Sequence, residues 1–345
     1  MAHKKSRLLI YAKPLILDVM SANIQVTVHA SQFPDSMREA LLEGLRSRRI
    51  PPKFLYQSYK QAQLWLTLHR ACSPAWLDPD AIAIYDRSFE AVAALAQQRV
   101  NVIGLGCGRG QKEARLLYLL AALGKGLFYV PCDVSLPLLL GSVREADNAC
   151  DGVISRPLLC DLTLARNLPE TLETFDVPKA RRIVTFFGMI PNFEPDPILS
   201  KLSELMRADD LLLMSANLAP GPDYRAGVES ILPGYDNPQT RAWLSAFLQD
   251  LGIDPDDGAI HFSIEATAGL YRIVADFHFR RGRILTVHEE QFAFGPGELL
   301  RLFFSYRHTP ETTRRLLQDH HLQLVEQWIS ASEEEGVFLV RKQPG

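Results

Sequence analysis

The alternation of strand-like and helix-like segments between residues 100 and 218 constrains the fold more than any other feature of this sequence. Amphipathic segments with helical periodicity, such as "QKEARLLYLLAAL" and "PDPILSKLSELM", separate short apolar runs. This alternation predicts a doubly wound, largely parallel sheet. Such sheets bind ligands in the crevice at the carboxyl ends of their strands, so we expect the site there. The runs predicted as strands are "VNVIGLG", "LFYVPCDVS", "GVISRPLLCDL", "RRIVTFFGMI" and "DLLLMSAN".

The regions that flank this alternation predict a second, smaller unit. Before it, "SMREALLEGLRS" predicts a helix capped by Asp35 or Ser36, and two further helices lead to residue 98. After Leu218, the Pro- and Gly-rich segment "LAPGPDYRAGVESILPGYDNPQT" predicts irregular structure. The helix "TRAWLSAFLQDLGI" and the strands "AIHFSIEAT", "LYRIVADFHFR", "RILTVHEEQFAF" and "VFLVRKQ" follow. We predict a core of residues 60–218 and 300–345, and an accessory unit of 1–59 and 219–299 that covers the crevice.

Charge and cysteine usage narrow the class of protein. The formal net charge is −3 over 345 residues, which favours neither nucleic acid nor an anionic membrane as a partner. Five cysteines without a CxxC pair predict free thiols in a reducing compartment. Lys13, Pro14 and Asp18 interrupt the apolar N-terminal run, and no stretch reaches the length of a membrane helix. We expect a cytoplasmic protein that acts on a small molecule.

Four glycines at alternate positions follow the first strand of the alternation. In "VIGLGCGRGQKEARLL" these are Gly104, Gly106, Gly108 and Gly110. Glycines after a strand let the backbone approach a ligand, and the following helix directs free N–H groups to the same place. The dinucleotide pattern G-x-G-x-x-G does not fit, because its last position is Arg109 or Gln111. The observed G-x-G-x-G resembles instead the nucleoside loop of class I S-adenosylmethionine methyltransferases, although tight strand-to-helix packing alone also explains such glycines.

Acids close the next two predicted strands. Asp133 in "VPCDVS" lies 23 residues after Gly110, where a carboxylate accepts both ribose hydroxyls of a nucleoside or dinucleotide. Asp161 in "LLCDLTLA" suits an adenine amino group, with Leu162 against the face of the ring. Three successive strand ends with the expected groups therefore predict a site for an adenosyl cofactor.

These motifs together resemble the histidine Nα-methyltransferases of ergothioneine biosynthesis, over about residues 50 to 345. The resemblance implies a Rossmann-like class I methyltransferase core with a second, smaller α+β domain, and S-adenosylmethionine as cofactor. It places Gly104, Gly106, Gly108 and Lys112 at the glycine loop, Asp133 at the ribose and Asp161 with Leu162 at the adenine. It also makes Asn192 in "PNF" and Tyr235 in "GYDN" candidates for binding the amino group and carboxylate of an amino acid.

The chain departs from this family at three places. The acid that usually precedes the glycine loop is Gly104 here. The family's "EYY" segment is missing, and Tyr59, with Tyr56 nearby, is its nearest counterpart. The family binds imidazole with a Glu and a Ser near the late strands, where "TVHEEQFAF" offers Glu289 or Glu290. The neighbouring His288 suggests no metal site, because alternate residues of a strand face opposite sides.

Three functions remain compatible with these residues. The first is methyl transfer to the nitrogen of an amino acid or another small amine, with histidine among the candidates. Such a displacement needs alignment of the acceptor lone pair and exclusion of water, and no covalent nucleophile. The second is a relative that binds the cofactor without turnover, and the third is an NAD-dependent oxidoreductase, against which the glycine spacing argues.

Overall fold

A computed structural model describes residues 23–73 and 77–343. The apolar N-terminal run, the first part of the predicted accessory unit and Trp76 lie outside these residues. Within them, no helix combines the length and apolar character that crossing a membrane requires.

A mixed sheet forms the centre of the described residues, and most of its strands are parallel. The strands are β1 (Thr27–Val28), β2 (Arg99–Leu105), β3 (Gly126–Asp133), β4 (Ile154–Ser155), β5 (Leu158–Leu159), β6 (Arg181–Phe186), β7 (Leu211–Asn217), β13 (Leu322–Ile329) and β14 (Glu335–Lys342). Their hydrogen-bonded order is β1-β5-β3-β2-β6-β7-β14-β13, with β4 beside β3. Only β14, next to β7, and β13, next to β14, run antiparallel to their neighbours.

Helices cover both faces of this sheet, which explains the continuous apolar runs of its strands. In β2, Ile103 and Leu105 join one buried cluster, whereas Val100 and Val102 join another on the opposite face. The predicted doubly wound α/β class is therefore confirmed. The helices are α1 (Pro34–Arg46), α2 (Tyr59–Cys72), α3 (Pro79–Leu95), α4 (Gln111–Ala122), α5 (Leu136–Ala149), α6 (Leu168–Glu173), α7 (Pro195–Leu205), α8 (Tyr224–Tyr235), α9 (Pro238–Asp250) and α10 (Pro310–Asp319).

A second, antiparallel sheet packs with α1 and α9 around its own core. Its three strands are β8 (Gly258–Thr267), β9 (Leu270–Phe279) and β12 (Leu299–Arg307), in the order β12-β9-β8. The hairpin β10 (Arg283–Val287) and β11 (Glu290–Phe294) adds Leu285 and Phe292 to the same apolar cluster. Because β12 pairs with β9, residues 300–307 lie with the second sheet and not with the core predicted for them. The remaining division into two domains stays a prediction.

Local structure differs from the sequence-based expectations at four places. The Pro- and Gly-rich segment after Leu218 contains helix α8, which the Asp223 side chain caps. Pro233 does not prevent this helix, because it lies near the C-terminal end. The predicted third strand is two short pieces, β4 and β5. The segment "RILTVHEEQFAF" is a hairpin, since His288 adopts a left-handed φ of 54° in its turn. Helix α1 begins at Pro34 without a side-chain cap, so neither Asp35 nor Ser36 caps it.

Candidate active site

A cleft of about 1050 Å³ opens beside β2, at the point where the order of the strands in the sheet changes direction. The strand order changes direction there, because β3 lies on one side of β2 and β6 on the other. The second sheet and helices α2, α8 and α9 contribute the facing wall. Eight of the predicted site residues line this cleft: Gly106, Gly108, Lys112, Asp133, Asp161, Leu162, Asn192 and Tyr235.

The glycine loop between β2 and α4 follows a left-handed path. Gly106, Gly108 and Gly110 have φ values of 64°, 55° and 74°, which L side chains rarely adopt. A Cβ on Gly110 would lie 2.6 Å from the Ser142 Cβ, so that glycine also lets α5 approach the loop. Backbone conformation, and not helix packing alone, therefore explains these three glycines.

Gly104 differs from the other three glycines in both conformation and location. It lies inside β2 without a left-handed φ and does not line the cleft, and its contact with the cofactor stays a prediction. A Cβ at Gly104 would lie 3.4 Å from the Cγ of Glu113 and 3.4 Å from the Tyr129 ring. Glu113, in the first turn of α4, does line the cleft.

Asp133 ends β3 directly beneath the glycine loop. Its Oδ2 accepts a hydrogen bond from the Gly108 N–H at 2.8 Å, and its Oδ1 accepts one from the Ser135 N–H at 2.8 Å. Burial raises the pKa of Asp133 to about 6, although these backbone donors oppose the shift. The carboxylate thus lies beside the glycine loop, where the resemblance places the ribose.

Asp161 is held in a buried ion pair that the sequence did not reveal. The Lys53 Nζ lies 3.0 Å from its Oδ2, and both side chains are almost fully buried. The Thr163 N–H donates to Oδ1 at 2.8 Å. Lys53 comes from a 3-10 turn at Pro52–Leu55, more than 100 residues earlier in the chain. Leu162 is buried beside it in the apolar cluster under the cleft.

Lys112 belongs to a buried polar network at the floor of the cleft. Its Nζ donates to the Tyr85 hydroxyl oxygen at 2.7 Å and lies 4.3 Å from the centre of the Tyr85 ring. The Tyr85 hydroxyl also lies 2.5 Å from Glu335 Oε1 and 2.8 Å from the Ser215 Oγ. Burial lowers the pKa of Lys112, whereas the carboxylates of Glu335 and Glu113 oppose that shift.

Asn192 and Tyr235 meet on the wall formed by β12. The Asn192 Nδ2 donates to the Phe304 carbonyl oxygen at 2.7 Å, and the Tyr235 hydroxyl donates to the Ser305 Oγ at 2.9 Å. Arg307 on the same strand donates from Nη2 to the Tyr235 hydroxyl oxygen at 2.9 Å. Three distant segments therefore converge on one polar patch.

Two predicted substrate contacts lie outside the cleft. Tyr59 is the first residue of α2 and is 70% exposed, since it belongs to the solvent side of that helix. Glu289 lies in the exposed turn of the β10–β11 hairpin, and Glu290 forms an ion pair with Arg46 at 2.7 Å. The structure places Glu289 away from the cleft, because the segment folds as a hairpin instead of one strand, and its contact with the acceptor stays a prediction.

Sequence reasoning missed several cleft residues because their chain segments lack a recognisable motif. Helix α2 lays Trp65 against the glycine loop, 3.4 Å from where a Cβ on Gly108 would lie, and His69 stacks on Trp65 with ring centroids 4.8 Å apart. Burial and the nearby Lys112 lower the pKa of His69 to about 3. The capping sequence Ser58–Gln61 was a usable signal for the start of this helix.

These features fit an adenosyl cofactor bound through its nucleoside and amino-acid parts. The left-handed glycine loop sits at the switch point of a doubly wound sheet, and two buried carboxylates follow the next strands. Together they define a class I S-adenosylmethionine-dependent methyltransferase.

The chain matches the family model described as "Histidine-specific methyltransferase, SAM-dependent" over residues 37–342 and belongs to that family. Its cofactor is S-adenosylmethionine, and this excludes the NAD-dependent oxidoreductase alternative. The family also confirms the resemblance on which the cofactor residues were assigned. No curated protein sequence matches the chain significantly.

Among solved structures, similar folds include magnesium protoporphyrin IX methyltransferase from Synechocystis with bound S-adenosylhomocysteine. That chain is 13% identical, with a TM-score of 0.41 over 84% of this chain and 96% of that one. An amino pentose methyltransferase from Micromonospora echinaspora is 13% identical, with a TM-score of 0.36 over 81% and 97%. A protein from Bordetella parapertussis described as a possible exported protein is 12% identical, with a TM-score of 0.46 over 89% of this chain and 87% of that one.

Proposed function

We propose that this methyltransferase methylates the amino nitrogen of an α-amino acid with a ring-bearing side chain. The observation that carries the proposal is the buried guanidinium of Arg307 on the acceptor side of the cleft. Arg307 is only 7% exposed and lines the cleft, yet no carboxylate among the described residues lies within 4.0 Å of it.

The hydrogen bonds of Arg307 leave it suited to an anionic ligand. Nη2 donates to Tyr235 and Nη1 donates to the Leu218 carbonyl at 3.3 Å, whereas Nε has no partner among the described residues. A buried charge without a counter-ion is costly, and guanidinium groups bind carboxylates through paired hydrogen bonds. A substrate carboxylate near Arg307 and Tyr235 supplies the missing charge.

The amine of the same substrate has a receptor on the adjacent wall. Because Asn192 donates its Nδ2 hydrogen to Phe304, its carbonyl oxygen is oriented to accept a hydrogen bond from a bound amine. That bond fixes the direction of the nitrogen lone pair, which methyl transfer requires. Amine and carboxylate receptors on one wall support an α-amino acid in preference to a simple amine.

Aromatic rings form the remaining wall of this end of the cleft. Tyr56 contacts both Trp65 and Trp243, with ring centroids 5.7 and 5.4 Å away, and Trp243 contacts Phe303 at 5.7 Å. Aromatic walls of this kind pack against planar side chains. The family's histidine acceptor carries such a ring, and phenylalanine, tyrosine and tryptophan share that feature.

The residues of the chain orient the acceptor and exclude water from it. S-adenosylmethionine supplies an electrophilic methyl group on its sulfonium when it is bound. Arg307 and Tyr235 hold the carboxylate, Asn192 directs the amine, and the rings of α2 and α9 cover the cleft. Near-neutral net charge and the cysteine pattern support the further proposal of a free small-molecule substrate in the cytoplasm, without nucleic acid or membrane partners.

Methyl transfer from labelled cofactor to matched pairs of acceptors tests this proposal. We expect histidine to outperform histamine, and phenylalanine to outperform phenethylamine, in kcat/KM, because only the amino acids carry the carboxylate. Arg307→Met removes the guanidinium and is expected to reduce this preference by about 10- to 100-fold.

Arg314→Met is the matched control, since Arg314 lies on the surface and pairs with the exposed Glu311. Equal rates for amines and amino acids in the wild type contradict the carboxylate assignment. Cofactor binding without transfer to any member of the panel favours instead a relative without turnover.

A further inference from the structure

Position 104 and position 113 share one space in the interior of the protein. Gly104 leaves a gap in β2, and the Glu113 side chain enters it from α4, with its Cγ 3.4 Å from where a Cβ at Gly104 would lie. The Tyr129 ring and the Cys107 Cβ close the same gap at 3.4 and 3.2 Å. A carboxylate is therefore present beside the glycine loop, although it arises from the helix and not from the strand.

Glu113 is a buried carboxylate without a cationic partner at contact distance. It is 2% exposed, the Thr185 Oγ1 donates to its Oε1 at 2.9 Å, and no Lys, Arg or His nitrogen of the described residues lies within 4.0 Å. Burial raises its pKa to about 7, with Lys112 and the Thr185 hydroxyl opposing this shift. A bound cation would compensate this charge.

Glu113 lies where the amino-acid part of the cofactor is expected. It lines the cleft together with Gly106, Gly108 and Asp133, and Asp133 marks the ribose end. We propose that Glu113 binds the α-ammonium group of S-adenosylmethionine and replaces the acid that position 104 lacks. This proposal concerns the cofactor alone, so it is independent of the acceptor, and failure of amino-acid methylation leaves its test intact.

Calorimetry with two ligands separates this role from a purely structural one. S-adenosylhomocysteine carries the α-ammonium, whereas 5′-methylthioadenosine has the same nucleoside thioether without the amino-acid part. We expect Glu113→Gln to weaken the binding of S-adenosylhomocysteine by about 10- to 100-fold. The affinity for methylthioadenosine should stay within about two-fold of the wild-type value. Glu90→Gln removes a carboxylate from the exposed face of α3 and serves as the charge control. Equal losses for both ligands, or no loss for S-adenosylhomocysteine, overturn the proposal.

The pH dependence of binding gives a second measurement that needs no variant. Because burial raises the pKa of Glu113 to about 7, this carboxyl group is partly protonated near neutral pH, and binding a cation releases the proton. The affinity for S-adenosylhomocysteine should therefore fall about ten-fold between pH 8 and pH 6 on account of this group. Calorimetry in buffers of different ionisation enthalpy should show more proton release with S-adenosylhomocysteine than with methylthioadenosine at pH 7. Equal proton release for the two ligands overturns the proposal.

The other ionisable groups around Glu113 do not imitate this signal, and Lys112 would act with the opposite sign, because burial lowers its pKa and a bound carboxylate would make it take up a proton. Asp133, whose pKa is raised to about 6, faces the nucleoside part that both ligands share, so its contribution cancels between them. Burial raises the pKa of each of the neighbouring thiol and phenol groups, which keeps them neutral in this range. The groups that face Glu113 are Asp133 on β3, Lys112 on α4, Cys107 in the glycine loop, Tyr129 on β3 and Tyr85 on α3.

Discussion

The glycines in and before the loop are needed for two different physical reasons. Gly106 and Gly108 need a left-handed backbone, whereas Gly104 is a strand residue whose missing side chain makes room for Glu113. The sequence pattern treats these positions alike, because spacing does not distinguish a conformational need from a packing need. The structure distinguishes the two needs by the φ angle of each glycine and by the atoms that surround its Cα.

Gly108→Ala tests the conformational requirement. The added Cβ would meet the Trp65 ring at an ordinary 3.4 Å, so the cost arises from the φ of 55° and not from a clash. We expect the free energy of unfolding to fall by about 1 kcal/mol and the affinity for S-adenosylhomocysteine to fall as well. Urea denaturation and calorimetry measure the two effects.

Gly124→Ala is the matched control for this prediction. Gly124 has a φ of 70°, a methyl group added there would have nothing within 4 Å, and the residue lies away from the cleft. The variant should show a similar loss of stability without a loss of affinity. If both variants bind the ligand normally, the loop conformation does not control cofactor binding.

At the scale of elements, helix α2 connects local sequence to the cleft. Its N-terminus carries a capping box, in which the Ser58 Oγ accepts from the Gln61 N–H at 3.1 Å. The same helix positions Trp65 and His69 over the glycine loop. Local sequence signals thus predict where α2 begins, but they do not predict that α2 covers the cleft.

Ser58→Ala should loosen the start of α2. Loss of an N-cap typically costs about 1 kcal/mol, so we expect faster amide hydrogen exchange in the first turns of α2 and weaker cofactor binding. Ser58→Asp keeps a capping oxygen and should behave like the wild type. Unchanged exchange in Ser58→Ala would mean that packing against α9 alone holds the helix in place.

At the scale of the whole molecule, the acceptor wall depends on contacts between the second sheet and the segment after β6. Arg272 on β9 lies 2.7 Å from Glu194 and 2.6 Å from Glu265 in ion pairs, and the Tyr306 hydroxyl donates to Glu194 at 2.6 Å. Glu194 follows Asn192 by two residues. These polar contacts therefore fix the position of Asn192, the proposed amine receptor, relative to β12.

Arg272→Met should destabilise the protein, because the buried guanidinium joins these carboxylates. We expect the free energy of unfolding in urea to fall by about 2 kcal/mol. Glu229→Gln, which breaks an exposed pair with Arg225, should change it by less than about 0.5 kcal/mol. Similar small changes in both variants would show that the Arg272 contacts do not hold the acceptor wall.

The sequence by itself predicted the residues of the cofactor half, and the structure brings these residues to one cleft. Gly106, Gly108, Lys112, Asp133 and Asp161 follow consecutive strand ends, and parallel strands bring such ends to one edge whatever the rest of the chain does. Residues close in sequence, on elements of regular geometry, therefore indicated the correct neighbourhood without knowledge of tertiary contacts.

Only the tertiary structure decided the proposed acceptor half and the residues from distant segments that support the cofactor half. Lys53, Trp65, Trp243 and Arg307 reach the cleft through packing between segments that are far apart in the chain. Glu289 was expected in the cleft, but a two-residue turn at His288 converts the apparent strand into a hairpin and places the Glu289 side chain at the surface. The pairing of β12 with β9 arises from contacts between segments that are far apart in the chain, and local spacing carries no record of it.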